Sequence, residues 1–485
     1  MLVWCLLIPV CGAIGISLCA RAPNLRETVT LVTSLALFGM VVSLAPLLDA
    51  PQPVRFVIAP TLPGLDLALQ LEPLGFAFAL LASFLWIVTS VYAIGYMRAH
   101  DEPHQTRFYV CFALALAGTM GVALAENMLT LFVFYEILTL STYPLVTHAG
   151  TAQARRAGRL YLGILLGTSI GLQLVAIVWT WLLAGTLDFK AGGILADKAS
   201  SGTLAVLCAL YVFGIGKAAV MPLHRWLPSA MVAPTPVSAL LHAVAVVKAG
   251  VFTILKVCLY IFGLDVLSAD NVRDLPMYMA GLTIIVASVI AMRQDNLKAR
   301  LAYSTISQLS YIVLGALLAN NVAAIGAGMH IVTHAFGKIT LFFCAGAVMI
   351  AAHKTEVSQL DGLGRRMPIT MLAFLIGSLS IIGLPPFGGV WSKWFLALGS
   401  LEAGEFVLLG VLLVSSLLNV VYLLPIPIRA FFCPAPGQSL ESGPVPLQEA
   451  PWPCLVAMCV TSIGCVWLFL SPDWLHSLMV SLVEG

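Results

Sequence analysis

Charge is what this sequence has least of: 9% of its 485 residues are Asp, Glu, Lys or Arg, where a soluble domain carries about 25%. That scarcity excludes a soluble enzyme. The net charge is +2 and no basic run reaches five residues, so no nucleic-acid partner is expected, because binding a phosphate backbone needs clustered cations. Also missing are a Walker loop and a G-x-G-x-x-G lying between a strand and a helix. Nothing is therefore expected to cradle nucleotide or flavin phosphates; no cofactor is anticipated, and the chain has no redox or hydrolytic chemistry of its own. The 11 cysteines include no C-x-x-C pair, and Cys5, Cys11, Cys111, Cys208, Cys258, Cys344, Cys459 and Cys465 lie in apolar runs. They read as small hydrophobes rather than metal ligands. The first apolar stretch, 2–20, lacks the charged start and A-x-A exit of a cleaved leader and reads as a first membrane span.

What is abundant is hydrophobicity, at 60% of residues and a mean hydropathy of +1.00. Apolar windows of about 20 residues, the length that crosses a hydrocarbon layer of about 30 Å, recur along the whole chain. They predict one all-α polytopic membrane domain over 1–485, lying in the lipid bilayer with about fourteen transmembrane helices. The boundaries read as 2–20, 28–48, 73–97, 108–125, 127–147, 160–184, 203–221, 236–262, 275–293, 299–319, 322–350, 369–383 resuming near 391–399, 405–430 and 453–470. The longest connections are 49–72, 185–202 and the Pro-rich 432–452 (Pro434, Pro436, Pro444, Pro446, Pro451, Pro453), none large enough for a soluble domain.

The basic residues sort completely. Loops after odd-numbered helices hold fifteen: Arg21, Arg26, Arg98, Arg107, Arg155, Arg156, Arg159, Arg225, Arg293, Lys298, Arg300, Lys354, Arg365, Arg366 and Arg429. Loops after even-numbered helices hold four, Arg55, Lys190, Lys198 and Arg273. The positive-inside rule then puts both termini on the outer side of a bacterial cell membrane. Of the 24 basic residues, 24 − 15 − 4 leaves five, and all are lysines within spans: Lys217, Lys248, Lys256, Lys338 and Lys393. Glu136 is the one acid deep in a span, with Glu126 at the edge of the same helix. An ionised group at the bilayer centre costs about 2.5 to 3.5 kcal/mol, so these side chains must face protein or water. Lysine also differs from arginine in being able to lose its proton when desolvated.

Local sequence around these charges adds detail. Two glycines precede Lys217 in Phe213-Gly-Ile-Gly-Lys and Pro222 and Pro228 follow it, predicting a helix that breaks just past the lysine. A second break is legible at Ile381-Ile-Gly-Leu-Pro-Pro-Phe-Gly-Gly389, with Lys393 beyond it. Interrupted helices at matching positions point to two inverted five-helix repeats, helices 4–8 (108–262) and 9–13 (275–430), with helices 7 and 12 broken; simple proline kinks are the competing reading. Helix 8 runs from Pro234-Thr-Pro past His242 to Lys248. Helix 11 carries His330, His334 and Lys338 at i, i+4 and i+8, a stripe about 12 Å long. No carboxylate or cysteine accompanies the two histidines, so no metal site is expected, and a proton relay fits imidazole better. Tyr303, Ser304, Ser307, Gln308 and Ser310 on helix 10 are candidates for water bridging or for interhelical glue.

The run Gly216-Lys-Ala-Ala-Val-Met-Pro-Leu-His-Arg-Trp-Leu-Pro-Ser-Ala-Met-Val-Ala-Pro-Thr-Pro-Val-Ser-Ala-Leu-Leu-His242 resembles the signature of the antiporter-like subunits shared by respiratory complex I, membrane-bound hydrogenases and Mrp-type cation/proton antiporters. The absence of a long lateral helix at the C-terminus, Lys393 where some complex I subunits use Glu, and the length make it most similar to the MrpD branch of that superfamily. The resemblance implies that Glu136 and Lys217 are the paired charges of helices 5 and 7, Lys248 the central relay lysine and Lys393 the exit lysine. His330, His334 and Lys338 match the helix 11 part of the axis. Lys256 is a peripheral candidate, with snorkelling to the interface as the alternative. Partners implied are other membrane subunits of a hetero-oligomeric antiporter or complex I-like assembly, with protons, and sodium or potassium, as transported ions.

The expected mechanism is a lateral proton wire. Glu136 would hold Lys217 protonated until a neighbouring subunit separates them; two charges about 7 Å apart at an effective dielectric near 20 interact by roughly 2.4 kcal/mol, enough to switch a lysine. Alternatives are a redox-pump subunit of an NADH:quinone oxidoreductase or hydrogenase complex, and a scaffold that has lost transport.

Overall fold

Five membrane helices begin where a short polar side chain can close the first turn. Asn127, Thr151, Ser200, Asn296 and Asn320 each accept a hydrogen bond from the backbone N–H three residues on, satisfying a donor the helix cannot. The computed structural model describes residues 1–269, 271–434 and 446–482. Its helices are α1 Leu2–Leu18, α2 Pro23–Leu47, α3 Pro73–Ala99, α4 Gln105–Ala123, α5 Met128–Val146, α6 Ala152–Ala184, α7 Ser201–Gly214, α8 Thr235–Phe262, α9 Asp274–Arg293, α10 Leu297–Leu317, α11 Asn321–Ala352, α12 Pro368–Ile382 with its second half Gly389–Glu402, α13 Phe406–Phe432, α14 Trp452–Leu470 and a short α15 Asp473–Val480.

Among the described residues ten of these are long and apolar enough to cross a membrane. The shorter α1, α7 and the halves of α12, with the more polar α10, complete the expected set of spans. The chain is thus an all-α polytopic membrane protein, its outer faces studded with exposed Leu, Val, Ile and Phe such as Leu18, Leu182, Val407 and Phe432. Helix α8 is enclosed on every side, whereas two thirds of the α2 window is uncovered. The helix that carries Lys248 and Lys256 is therefore the core of the molecule.

Three expectations need correction. The stretch 49–72 is not a plain loop: β1 Arg55–Leu62 and β2 Leu65–Gln70 pair antiparallel, Arg55 opposite Gln70. The hairpin is anchored to the start of α5 by a bridge from Leu69 to Ala125 and by Asn127 Nδ2 donating to Asp66 O at 2.8 Å. Its alternation was hidden by Pro60 and Pro63 within a short segment. Helix α6 starts at Ala152, eight residues before the apolar window, because the Thr151 cap tolerates Arg155, Arg156 and Arg159 in the first turns. Finally, α7 ends at Gly214, before Lys217 rather than after it. A Cβ on Gly214 would collide with the Gln173 backbone nitrogen of α6, so the close crossing itself takes the place of another helical turn. Of the Pro-rich segment, Pro436 and Pro444 lie outside the described residues.

Candidate functional site: a buried row of amines and imidazoles

Because α7 stops early, Lys217 sits in a tight turn, Gly216–Ala218, followed by Ala219 at φ +56°. Unwound backbone inside a bilayer must find partners within the protein, and side chains from neighbouring helices provide them. Lys217 N donates to Tyr135 Oη at 3.2 Å, Met221 N to Thr283 Oγ1 at 3.1 Å, and Trp226 Nε1 to Gly216 O at 3.0 Å. The fully buried Lys217 ammonium donates to the backbone oxygen of Tyr135 at 2.5 Å and lies 3.0 Å over its ring. It makes no ion pair with Glu136 within 4.0 Å among the described residues. Both Glu136 carboxylate oxygens are buried without a hydrogen-bond partner among the described residues, on a helix whose Ile137 and Leu140 are exposed.

Gly250 of α8 rests on this turn; a Cβ there would be 2.8 Å from Lys217 Cβ. Half a turn earlier on α8, just after a π-helical segment 240–244, Lys248 Nζ lies 2.7 Å from His334 Nδ1. The His334 and His330 rings are 5.8 Å apart on α11. His330 Nδ1 is 2.9 Å from Ser392 Oγ, and its ring stacks on Tyr311 at 5.7 Å. Lys393 Nζ lies 5.0 Å from the centre of the same Tyr311 ring and donates to Ile382 O at 3.0 Å and Ser416 Oγ at 3.2 Å. Lys338, one turn further along α11, donates to Ser304 Oγ at 2.6 Å. The structure thus brings Lys248, His330, His334, Lys338 and Lys393 into one row, with Lys217 packed beside α8 and Glu136 next in sequence to the Tyr135 that holds the Lys217 ammonium.

Lys256 does not snorkel to the interface. It is completely buried, pairs with Glu72 at 2.7 Å, donates to Ala125 O at 3.0 Å and lies 3.8 Å over the Phe189 ring. Nearby, Arg55 of the hairpin pairs with Glu126 at 2.6 Å. His242, also buried, lies 4.5 Å from the Phe342 ring, and neither ring nitrogen has a protein partner. Sequence reasoning passed over Tyr135, Tyr311, Ser392, Ser416, Asn419 and Tyr422. Single hydroxyls and amides in apolar helices look alike whether they glue helices or serve a charge. No group of three His, Cys, Asp or Glu able to hold a metal ion occurs among the described residues.

Broken helices around a polar axis buried in a bundle of apolar helices define an antiporter-like membrane subunit. The profile of the NADH:quinone oxidoreductase/Mrp antiporter transmembrane family matches residues 125–419, and the chain belongs to that family. It is 33% identical over 476 residues, 95% of this chain and 94% of the relative, to NADH-quinone oxidoreductase subunit N of Desulforudis audaxviator. It is 34% identical over 357 residues to the chloroplastic NAD(P)H-quinone oxidoreductase subunit 5 of Zygnema circumcarinatum, covering 68% of this chain but spanning only 48% of that relative. Among solved structures, a chain of the Mrp complex from Dietzia sp. superimposes with a TM-score of 0.86 at 21% identity, over 99% of this chain and 96% of that one. A chain of the membrane-bound sulfane sulfur reductase, an archaeal respiratory membrane complex, gives 0.86 at 23% identity over 100% and 97%. At those identities the structural matches speak for the fold.

Proposed function

We propose that the chain moves protons along the row Lys217, Lys248, His334, His330 and Lys393, with Lys338 as a side station and Glu136 as the group that loads Lys217. The observation that carries this is the 2.7 Å contact between Lys248 Nζ and His334 Nδ1. An ammonium and an imidazole at that distance share one proton, since the imidazole nitrogen must accept for the contact to be attractive. Glu136 supports a multisubunit setting. A carboxylate with both oxygens desolvated and unpartnered, on a helix face that this chain leaves uncovered, calls for a cation or proton from a neighbouring membrane subunit. The two repeats, 108–262 and 275–430, would then supply one break and one break lysine each, and the basic loops would place both termini on the outer side of a bacterial cell membrane.

The parent assembly we favour is an Mrp-type monovalent cation/proton antiporter, with this chain in the MrpD position and sodium or potassium as the exchanged cation. The redox-pump reading is kept because the relative matched over almost the whole chain is a subunit of an NADH-quinone oxidoreductase. The test is proton flux in vesicles holding the complete complex, with sodium and potassium varied separately. Glu136→Ala and Lys217→Ala should each remove cation-dependent flux; full flux in either would overturn the wire. Cation-dependent flux without any electron donor supports the antiporter, and flux only on electron transfer supports the redox pump.

A further inference from the structure

Tyr422, Asn419 and Ser416 of α13 have no place in the row above, yet they lie along one stripe of that helix, each three residues from the next, a spacing that keeps side chains on neighbouring parts of one face. Tyr422 and Asn419 are fully buried. The stripe faces α10. At one end Lys338 Nζ donates to Ser304 Oγ at 2.6 Å, and Ser304 Oγ is 2.8 Å from Tyr422 Oη. Tyr422 Oη also contacts Asn419 Oδ1. A phenol has one hydrogen, so Tyr422 Oη, which faces both Ser304 Oγ and Asn419 Oδ1 as donor, gives it to one of them at a time. With that hydrogen on Asn419, Ser304 is free to donate to Tyr422, the order that a proton released at Lys338 requires. At the other end Tyr311 Oη is 3.5 Å from Ser416 Oγ, which accepts from Lys393 Nζ at 3.2 Å.

Between the two ends, Ser304 opposes Tyr422 while Tyr311 opposes Leu412 and Ser416. That antiparallel register puts Gln308 and Asn419 at the intervening level. Gln308 is fully buried with neither amide atom partnered among the described residues, and Asn419 Nδ2 is likewise buried and without a partner among them. Buried amides without protein partners are satisfied by ordered water, which needs two to four polar neighbours. Three orphaned amide atoms at the level where the hydroxyl chain is interrupted meet that need. Purely adhesive polar contacts would be expected to satisfy one another, as Ser288, Ser307 and Ser415 do nearby at 3.0 to 3.4 Å.

We propose that α10 and α13 hold a second proton connection, from Lys338 through Ser304 and Tyr422 to water held by Asn419 and Gln308, and on through Ser416 to Lys393. This rests on the function proposed above and runs parallel to the imidazole route. Only N–H and O–H bonds change. Lys338 gives up one proton, each hydroxyl or water takes one and passes on its own, Tyr422 turning its hydrogen from Asn419 to the water beside it, and a neutral Lys393 receives one. Ser304, Tyr422 and Ser416 relay, while Asn419 and Gln308 position water.

The experiment compares vesicles carrying the complete complex with wild-type chain, His330→Ala, Tyr422→Phe and the double variant. Tyr422→Phe alone should lower proton flux by about half, since one of two routes remains. In the His330→Ala background it should cut the residual flux about ten-fold or more, a barrier rise of about 1.4 kcal/mol. Ser416→Ala carries the same prediction from the opposite end should Tyr422→Phe impair assembly. Asn419→Leu should lower flux where Asn419→Ser, which still binds water, restores it at equal thermal stability of the complex. Residual flux in the double variant equal to that of His330→Ala overturns the second connection. Full flux in Lys217→Ala would overturn the underlying reading instead, so the two failures are distinguishable.

Discussion

The two broken helices solve the same physical problem in opposite ways. In α7 the lysine is part of the break: Lys217 lies in unwound chain, and the freed backbone is satisfied by Tyr135, Thr283 and Trp226 from outside the helix. In α12 the lysine repairs the break: Lys393 stands one turn into the second half and reaches back to donate to Ile382 O, while Gly388 N donates to Cys465 O across to α14 at 2.9 Å. Lys217 is thereby held by a backbone oxygen and an aromatic face with no hydroxyl on its ammonium. Lys393 has Ser416 as a ready exchange partner. An amine clamped in unwound backbone responds to movement of that backbone, whereas one with a hydroxyl neighbour exchanges without it.

The comparison can be broken most severely at the glycine that opens the second half of α12. A Cβ on Gly389 would overlap Ser380 O, closer than any real contact, so Gly389→Ala should prevent assembly of the complex, measured by co-purification of its subunits. Next is charge removal. Lys217→Leu should lower proton flux in vesicles by at least about ten-fold, as a loss of 1.4 kcal/mol in the barrier would, and Lys393→Leu should do less because the hydroxyls around it can still pass a proton. Equal losses would show that the two breaks work alike. Smaller is Trp226→Phe, which removes one of the two donors to Gly216 O and leaves Ala219 N; loss of one such hydrogen bond costs about 0.5 to 1.5 kcal/mol, read as a lower melting temperature of the complex with the α12 region unaffected in hydrogen exchange.

The smallest effect separates two loop anchors, one just past α5 and one beside α13. His148, just past α5, is buried, and burial together with the Arg107 guanidinium lowers its pKa from 6.5 to about 4. Glu102, 4.0 Å away, has its carboxyl pushed up by burial. A folded-state His pKa below the unfolded one means that the unfolded chain binds more protons between pH 6.5 and 4, so His148 costs stability as pH falls through that window. Glu102 offsets part of this, since a raised carboxyl pKa favours the folded state at low pH and loses that advantage as pH rises. The second half is anchored by Arg429 and Asp361 at 2.8 Å, both partly exposed, and should change little. His148→Asn should flatten the fall in melting temperature between pH 6.5 and 4; an unchanged slope would remove His148 from the account.

Much of the fold was legible because hydrophobicity in a membrane chain is written in long runs. The spans from α3 to α6 and from α8 to α13 fall within a few residues of their expected places, α6 excepted at its start. The β-hairpin was not legible, since strands of eight and six residues interrupted by proline carry little periodic signal. The candidate residues Glu136, Lys217, Lys248, His330, His334, Lys338 and Lys393 could all be named from the cost of burying charge. Their partners could not. The ring of Tyr135 under Lys217, Ser392 on His330 and Glu72 on Lys256 are brought together from positions 62 to 184 residues away in the chain, and no local pattern encodes such a meeting.

By itself the sequence determined that this chain lies in a bilayer as a bundle of apolar helices, and which few titratable groups must be sheltered there, because the transfer cost of a charge or an apolar run depends on residue type alone. The tertiary structure decided what each sheltered group touches: that Lys248 meets an imidazole and Lys256 a carboxylate, two turns apart on one helix, and that α7 gives way before its lysine. Those outcomes depend on which backbone comes within a few ångströms, and packing sets that, not composition.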